Sequence, residues 1–149
     1  MPVFEDSKKI ICLADNDEDD IMVLHEALLE VGEPSEIIEV RSGEQLMAQL
    51  SKLPERFPEL IFLDINMPGM DGFGCLEAVS KLEGVAKRAR LIVYSGENGG
   101  WAMERAFALG ADFYAVKPNN YQDIKDLARI ILQMDWTALG TERRIFHVT

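Results

Sequence analysis

Acidic and amide residues crowd together at the end of the first apolar segment. Residues 11–14, ICLA, run directly into DNDEDD, which holds five carboxylates and one amide in six positions. Single polar residues follow three later apolar segments: Asp64, Ser95 and Lys117. Gathered carboxylates either become partly protonated or bind a hard cation, and oxygen ligands of this kind suit Mg²⁺. The residue types therefore favour a magnesium site beside a lysine and a hydroxyl that can hold an added anion.

A phosphoryl group is the anion that this combination fits. Asp64 is then the nucleophile, because its carboxylate can accept a phosphoryl group to form an acyl phosphate. The metal ion and Lys117 offset the charge that develops during the transfer, and Ser95 supplies a hydrogen bond to a phosphoryl oxygen. The transfer requires few catalytic groups beyond these.

The chemistry requires elements that bring these distant residues together. Five short apolar segments predict strands at residues 10–14, 37–40, 60–63, 91–94 and 113–116, and apolar residues three and four apart between them predict helices. Alternation of strand and helix five times implies parallel strands joined by right-handed crossovers. We expect an α/β fold: a doubly wound parallel sheet of five strands, order 2-1-3-4-5, with five helices. In that order strands one and three are neighbours, so Asp15 should lie beside Asp64.

Local signals predict where the helices begin and end. Ser42 with Gln45 has the spacing of a capping box at the start of the second helix. Three glycines follow segments with helical spacing and predict the ends of the first, third and fourth helices: Gly32, Gly84 and Gly110. Asn119 with Gln122 predicts the start of a fifth helix, which runs to about Trp136.

Composition and charge exclude several classes of protein. The chain has 149 residues, 48% of them hydrophobic, and a net charge of -11, which repels nucleic acids and anionic membranes. No apolar segment approaches the roughly 18 residues that span a bilayer, and the first ten residues lack the apolar segment of an export signal. Cys12 and Cys75 have no C-x-x-C spacing and are expected to be buried and reduced. We expect a cytoplasmic protein with no nucleic acid or membrane partner.

Four motifs occur in one order along the chain, each at the end of a predicted strand. They are LADNDEDD, LIFLDINMPGMDGFGCLE, LIVYSGEN and GADFYAVKPNN. Together they make residues 8–135 resemble a response-regulator receiver domain of two-component signalling. The resemblance implies a flavodoxin-like fold and a regulatory protein that receives a phosphoryl group.

The resemblance assigns the phosphoacceptor and the metal ligands. Asp64 is the phosphoacceptor, and Asp15 and Asn16 occupy the positions of an acidic pair. With Asp64 and the backbone carbonyl of Asn66, they are the expected ligands of Mg²⁺. Lys117 is the lysine of the family pattern.

The resemblance also implies a switch. Ser95 is the switch hydroxyl, and Tyr114 is the aromatic residue that swings between outward and inward rotamers as the hydroxyl moves. Asn66 and Glu97 occupy positions that tune hydrolysis of the acyl phosphate. Pro118 is expected to follow a cis peptide bond.

One residue departs from the family pattern. The second position of the acidic pair, which usually touches the metal directly, is Asn16. An amide oxygen can coordinate Mg²⁺, but the site loses one negative charge and should hold the cation less tightly. Two alternatives are that Asp17 reaches the metal by a small shift of its loop, or that Asp15 binds it directly. We expect Glu18, Asp19 and Asp20 to begin the first helix, where its dipole favours negative charge.

These features lead to a stand-alone receiver as the main hypothesis. Residues 1–136 form the receiver domain, and residues 137–149 form a tail that packs on its own domain or joins two copies in a homodimer. The expected donor is a histidine kinase or a phosphotransfer protein, and the signal leaves through contact with an unknown downstream protein. The protein is not expected to be an enzyme, beyond catalysing its own phosphoryl transfer and autodephosphorylation.

Two other hypotheses stay open at this stage. The first is a pseudo-receiver, a binding module that keeps the fold and acts without phosphorylation because Asn16 weakens the metal site. The second is a hydrolase with an aspartyl-phosphate intermediate. Such phosphatases place a second Asp two residues after the nucleophile, where this chain has Asn66, which argues against turnover of free substrates.

Overall fold

The computed structural model describes residues 9–32, 36–52, 58–67, 72–82, 89–134, 136 and 144–146. The strands β1 to β6 are Ile10–Ala14, Glu36–Val40, Leu60–Leu63, Arg90–Ser95, Phe113–Val116 and Arg144–Phe146. The helices α1 to α5 are Glu18–Val31, Gly43–Lys52, Gly72–Ser80, Gly100–Ala108 and Tyr121–Gln133. Each of the first five strands is followed by a helix, as the alternating pattern predicts.

All of the strands pair in parallel, in the order β2-β1-β3-β4-β5-β6. The predicted order of the first five strands is confirmed, but the predicted number of strands is wrong. The sixth strand comes from the tail, where Ile145 pairs with Tyr114 and Phe146 with Ala115. A strand at the edge of a sheet leaves backbone N–H and C=O groups unpaired, and β6 satisfies those of β5. Part of the tail is thus built into the sheet of its own domain.

Helices cover both faces of the sheet. Ile11 and Leu13 of β1 belong to the core between the sheet and helices α1 and α5, whereas Cys12 and Ala14 belong to the core under α2, α3 and α4. Successive side chains of a strand point to opposite faces, so a strand buried on both faces must be apolar throughout. This explains the continuous apolar segments of the sequence.

The predicted boundaries of the first two helices are confirmed. Gly32 is the C-cap of α1, and its N–H donates to the carbonyl oxygen of Leu28. Ser42 Oγ accepts from Gln45 N at 3.1 Å, and Gln45 Oε1 accepts from Arg41 N at 2.7 Å. Reciprocal bonds of this kind satisfy backbone donors that the first turn of a helix leaves free.

The later boundaries differ in part from the prediction. Gly110, just beyond α4, has φ +117°, a conformation that glycine adopts without strain. The N-cap of α5 is Asn120, whose side chain accepts from Asp123 N, so the prediction of Asn119 with Gln122 is wrong by one residue. Helix α5 ends at Gln133, before Trp136. Gly84 lies outside the described residues.

Gly72 fixes the start of α3 against the strand that carries Asp64. A Cβ at this position would lie 2.1 Å from Ile65 Cα and 2.4 Å from the carbonyl oxygen of Asp64. Its amide donates to the carbonyl oxygen of Ile65 at 3.2 Å. Only a residue without a side chain allows this approach, so Gly72 helps to hold the backbone around Asp64 in place.

Two further expectations concern the thiols and the membrane. Cys12 and Cys75 are both free and buried, as the sequence predicts. Of the helices that the structure describes, none combines the length and apolarity needed to cross a bilayer.

Candidate functional site

The polar residues predicted from the strand ends meet at one edge of the sheet. Ala14 pairs with Leu63 and Ser95 with Val116, so Asp15, Asp64 and Lys117 follow directly after aligned strands. Backbone hydrogen bonds extend the ladder by one step: Asp64 N donates to the carbonyl oxygen of Ala14 at 2.9 Å, and Lys117 N donates to that of Ser95 at 2.8 Å. The sheet therefore brings together segments that are far apart in sequence.

Lys117 is the centre of the site. Its Nζ lies 2.8 Å from Asp15 Oδ2, 2.9 Å from Asp64 Oδ2 and 2.8 Å from Asp20 Oδ2. Asp15 and Asp64 are buried, with 4% and 6% of their surface exposed, and the ring centroid of Tyr94 lies 5.6 Å from the same Nζ. The prediction that Lys117 lies beside the Asp64 carboxylate agrees with this geometry. Asp20 was expected only to begin α1, and the structure places it in the site.

Each of the two buried carboxylates is fixed by its own backbone. Asp15 Oδ1 accepts from Asp17 N at 3.0 Å, and Asp64 Oδ1 accepts from Asn66 N at 2.9 Å. Asp side chains commonly bind the backbone two residues further on in this way. Since one oxygen of each carboxylate binds an amide, the other oxygen is directed at Lys117.

Burial and charge act in opposite directions on these groups. Burial raises the pKa of Asp15 to about 6, and the hydrogen bond from Lys117 only partly offsets this effect. Burial also disfavours the charge on Lys117, but the hydrogen bonds to Asp15, Asp20 and Asp64 outweigh it, so the net effect raises the pKa of the lysine. The site therefore holds a permanent cation beside carboxylates, one of which is costly to ionise.

The predicted switch residues form a connected group at the start of α4. Ser95 is fully buried, and its Oγ accepts from Glu97 N at 3.2 Å. Tyr114 is also fully buried in an inward position, and its hydroxyl donates to the carbonyl oxygen of Glu97 at 2.8 Å. Glu97 Oε2 in turn accepts from the amide of Gly99, the N-cap of α4, at 3.2 Å. Burial raises the pKa of Tyr114 to about 12, so its hydroxyl remains a donor.

The amide residues lie at the mouth of the site. Asn16 and Asn66 are both exposed, next to the buried Asp15 and Asp64. Asp17, the alternative metal ligand, is the N-cap of α1, and its Oδ1 accepts from Asp20 N at 3.1 Å. Its carboxylate is thus engaged in capping.

The resemblance was misleading about Pro118. The described part of the chain contains no cis peptide bond, so the bond between Lys117 and Pro118 is trans. Trans is the lower-energy form even before proline, by about 0.5 to 1 kcal/mol. Lys117 reaches the carboxylates in this form. Residues 68–71 of the motif LIFLDINMPGMDGFGCLE lie outside the described residues.

The donor chemistry fits a magnesium ion. Within the described ranges, no three or more His, Cys, Asp or Glu side chains are arranged as a metal-binding group. Mg²⁺, however, commonly binds through one or two carboxylates and keeps several waters. Asp15 and Asp64 supply two carboxylates on adjacent strands, and Asn16 and Asn66 can add amide or carbonyl oxygens. The residues present therefore meet the requirement without a third acid.

Comparison with known proteins gives the family. The sequence model of the response regulator receiver domain matches residues 11–129. The chain belongs to this family. It is 30% identical over 115 residues to the probable chemotaxis protein CheY of Rhizobium etli. This alignment covers 77% of the present chain and 85% of that protein. The chain is therefore a regulatory domain of the type used in two-component systems.

Solved structures of receivers have the same fold. The phosphorylated cyanobacterial phytochrome response regulator RcpA has a TM-score of 0.77 and 27% identity, covering 90% of this chain and 97% of that one. The Mn²⁺-bound form of the response regulator Rcp1 has a TM-score of 0.70 and 25% identity, covering 83% and 91%. The flavodoxin-like α/β fold predicted from the sequence is thus confirmed, with a sixth strand added.

Some curated relatives of this receiver are much longer proteins. The chain spans 22% of the length of one and 37% of another. The likeness to those proteins therefore covers only part of each of them.

Proposed function

We propose that this receiver accepts a phosphoryl group on Asp64 from a histidine kinase or a phosphotransfer protein. The observation that carries the proposal is the contact of Asp64 Oδ2 with Lys117 Nζ at 2.9 Å, at the edge where the parallel strands end. Sites of open parallel sheets lie at this edge. The phosphorylated state of RcpA supports the same chemistry in a similar receiver.

The transfer exchanges one bond to phosphorus for another. A carboxylate oxygen of Asp64 bonds to the phosphorus atom as the bond from phosphorus to a donor histidine nitrogen breaks, and that nitrogen keeps the electron pair. Lys117 stays protonated and offsets negative charge on the phosphoryl oxygens. The amide bond from Asn66 to Asp64 Oδ1 fixes the carboxylate before attack.

We propose Mg²⁺ as the cofactor, held by Asp15, Asp64, the carbonyl of Asn66 and the side chain of Asn16. When bound, the ion neutralises phosphoryl oxygens in the transition state. The Mn²⁺-bound form of Rcp1 supports a divalent cation in a receiver of this type. Asn66 and Glu97 are proposed to tune hydrolysis of the acyl phosphate.

The signal is proposed to leave through the group around Glu97. A phosphoryl group on Asp64 offers a charged acceptor to the Ser95 O–H, while Ser95 Oγ accepts from Glu97 N at 3.2 Å. A Ser95 side chain that moves toward the phosphoryl group changes the geometry of that bond. Glu97 also binds Tyr114 and the amide of Gly99, at 2.8 and 3.2 Å. A change at Ser95 therefore reaches Tyr114 and the start of α4, and alters a protein-binding face for an unknown downstream partner.

The test is phosphorylation by a small donor. Wild-type protein is incubated with Mg²⁺ and acetyl phosphate, and intact mass is measured before and after hydroxylamine, which cleaves acyl phosphates. We expect an adduct that hydroxylamine removes and that Asp64→Asn lacks. Asp19→Asn, with the same charge change at an exposed position, should be phosphorylated like the wild type. An adduct that persists in Asp64→Asn would contradict the proposal.

A pseudo-receiver is the second candidate, because Asn16 removes a charge from the expected metal site. In that case the protein binds its partner without modification, and neither acetyl phosphate nor a kinase gives an adduct on Asp64. The same mass measurement therefore separates the two functions. The buried, free thiols of Cys12 and Cys75 support a reducing, cytoplasmic location for either one.

The tail is proposed to stabilise the domain and to offer a contact between two copies. Residues 144–146 form β6, which pairs with β5, and Ile145 of β6 is 54% exposed. A chain truncated after Gly140 lacks β6 and should show a lower melting temperature, because the edge of β5 loses its partner. Sedimentation of both chains tests the homodimer: an unchanged mass distribution would restrict the tail to packing.

A further inference from the structure

Asp20 reaches the site from a different element than the other acids. Asp15 and Asp64 follow strands, whereas Asp20 lies in the first turn of α1, and Lys117 is 97 positions further along the chain. The Asp20 side chain is 39% exposed, but its Oδ2 is 2.8 Å from Lys117 Nζ, as close as that of Asp15. The contact thus joins two segments that are distant in sequence, and Asp20 is the most exposed of the three carboxylates that bind Lys117.

The backbone holds Asp20 where it can make this contact. Asp20 N donates to Asp17 Oδ1 at 3.1 Å, and the next residue, Ile21, is buried against the sheet. The rotation of α1 is therefore fixed at this turn. Lys117, in contrast, has a long flexible stem whose charged end can take many positions unless several groups bind it.

Asp20 also restores the charge that Asn16 lacks. An acidic pair and the phosphoacceptor would give three carboxylates, but residues 15, 16 and 64 supply only two. With Asp20, three carboxylates surround Lys117. The third comes from α1 instead of from the segment directly after β1.

We propose that Asp20 is a positioning residue for Lys117. It holds the ammonium group beside the Asp64 oxygen. The lysine side chain is then already in the conformation in which it binds the incoming phosphoryl group. It acts through Lys117 and forms no bond to the phosphoryl group. This inference rests on the proposed phosphorylation of Asp64.

The experiment compares Asp20→Asn with the matched variant Asp19→Asn. Both remove one carboxylate from the first turn of α1, so both weaken the favourable interaction with the helix dipole. The rate constant of phosphorylation is measured with saturating acetyl phosphate and saturating Mg²⁺, which excludes effects on metal affinity. A partly exposed ion pair contributes less than a buried one, so we expect Asp20→Asn to slow the reaction by about two- to five-fold. Asp19→Asn should match the wild type.

A second measurement reports on Lys117 directly. An ammonium group held by carboxylates exchanges its protons slowly enough to give a resolved ¹⁵N signal in NMR, and Lys117→Met assigns that signal. We expect the signal to be present in the wild type and in Asp19→Asn, and to broaden or shift in Asp20→Asn. Asp20→Glu keeps the charge one methylene further out and should recover part of the rate.

The outcomes separate this inference from the proposed function. Equal rates for Asp20→Asn and Asp19→Asn, a faster reaction in Asp20→Asn, or an unchanged Lys117 signal would each overturn the positioning role. If wild-type protein takes up no phosphoryl group, the proposed function fails, and the NMR comparison still decides whether Asp20 holds Lys117. Circular dichroism confirms that each variant is folded.

Discussion

Replacing Asp15 by asparagine should shift stability in favour of the variant, relative to the wild type, as the pH rises to neutrality in the absence of metal. Burial raises the pKa of Asp15 to about 6 from an ordinary value of 3.8. The folded state thus binds the proton of Asp15 more tightly than the unfolded state does. The stability that this group contributes is fully present below pH 3.8 and is lost as the pH rises through about 6. Asparagine keeps the shape of the side chain and cannot ionise. It has one acceptor where Asp15 uses two, a loss that is present at every pH, so the prediction concerns how the difference from the wild type changes with pH.

The pKa difference sets the size of the effect. One pH unit corresponds to about 1.4 kcal/mol, so a difference of about two units amounts to about 3 kcal/mol in full. Most of this change falls between pH 4 and pH 7. From pH 4 to pH 7, the free energy of unfolding of Asp15→Asn minus that of the wild type should increase by about 2 kcal/mol.

The assay is urea unfolding at several pH values with EDTA present. Asp19→Asn is the control, because it removes the same charge from an exposed position in the first turn of α1. The difference between this control and the wild type measures what the loss of an exposed carboxylate does over the same pH range. A difference between Asp15→Asn and the wild type that stays constant from pH 4 to pH 7, or that shrinks, would refute the reasoning from burial.

Three other substitutions, one of them with a matched control, test separate parts of the structure. Tyr114→Phe removes the hydroxyl that donates to Glu97 and should lower the free energy of unfolding by about 1 kcal/mol in denaturant titration; an unchanged value would mean that the bond contributes nothing. Gly72→Ala forces a Cβ into the backbone after β3 and should cost about 3 kcal/mol, whereas Gly100→Ala, with no atom within 4 Å, should be nearly neutral. Asn16→Asp should tighten Mg²⁺ binding in calorimetry and speed phosphorylation, because it restores a charge; equal affinity would place Asn16 outside the metal's ligands.

The sheet and the residues at its edge follow from local signals in the sequence. The strands before Asp64 and Lys117 can be predicted from the sequence, because a strand that is buried on both faces must consist of a continuous apolar segment. Parallel pairing then puts the residues after the strands at one edge. Strand order makes Asp15 and Asp64 neighbours, whereas β5 lies two strands from β3, so the contact of Lys117 with them also needs the length of the lysine side chain.

The parts that were missed depend on tertiary structure. Asp20 has the pattern of any acid in a first helical turn, and only the rotation of α1 against the sheet turns it toward Lys117. The strand β6 has three residues, too short for periodicity to show, and it forms because the edge of β5 offers it a partner. Asn119 and Asn120 are equally good caps by type, so the choice between them depends on how the chain leaves Pro118.

The hydrogen bond from Asn66 N to Asp64 Oδ1 has a consequence for mimicry of the modified protein. The bond closes a small ring that fits the single methylene of aspartate. A glutamate at position 64 would carry its carboxylate one carbon further, so the same bond from Asn66 N would close a larger ring and the second oxygen would leave its place 2.9 Å from Lys117 Nζ. A longer acid at this position therefore does not reproduce the resting carboxylate, and an analogue that keeps this geometry is built on the native aspartate.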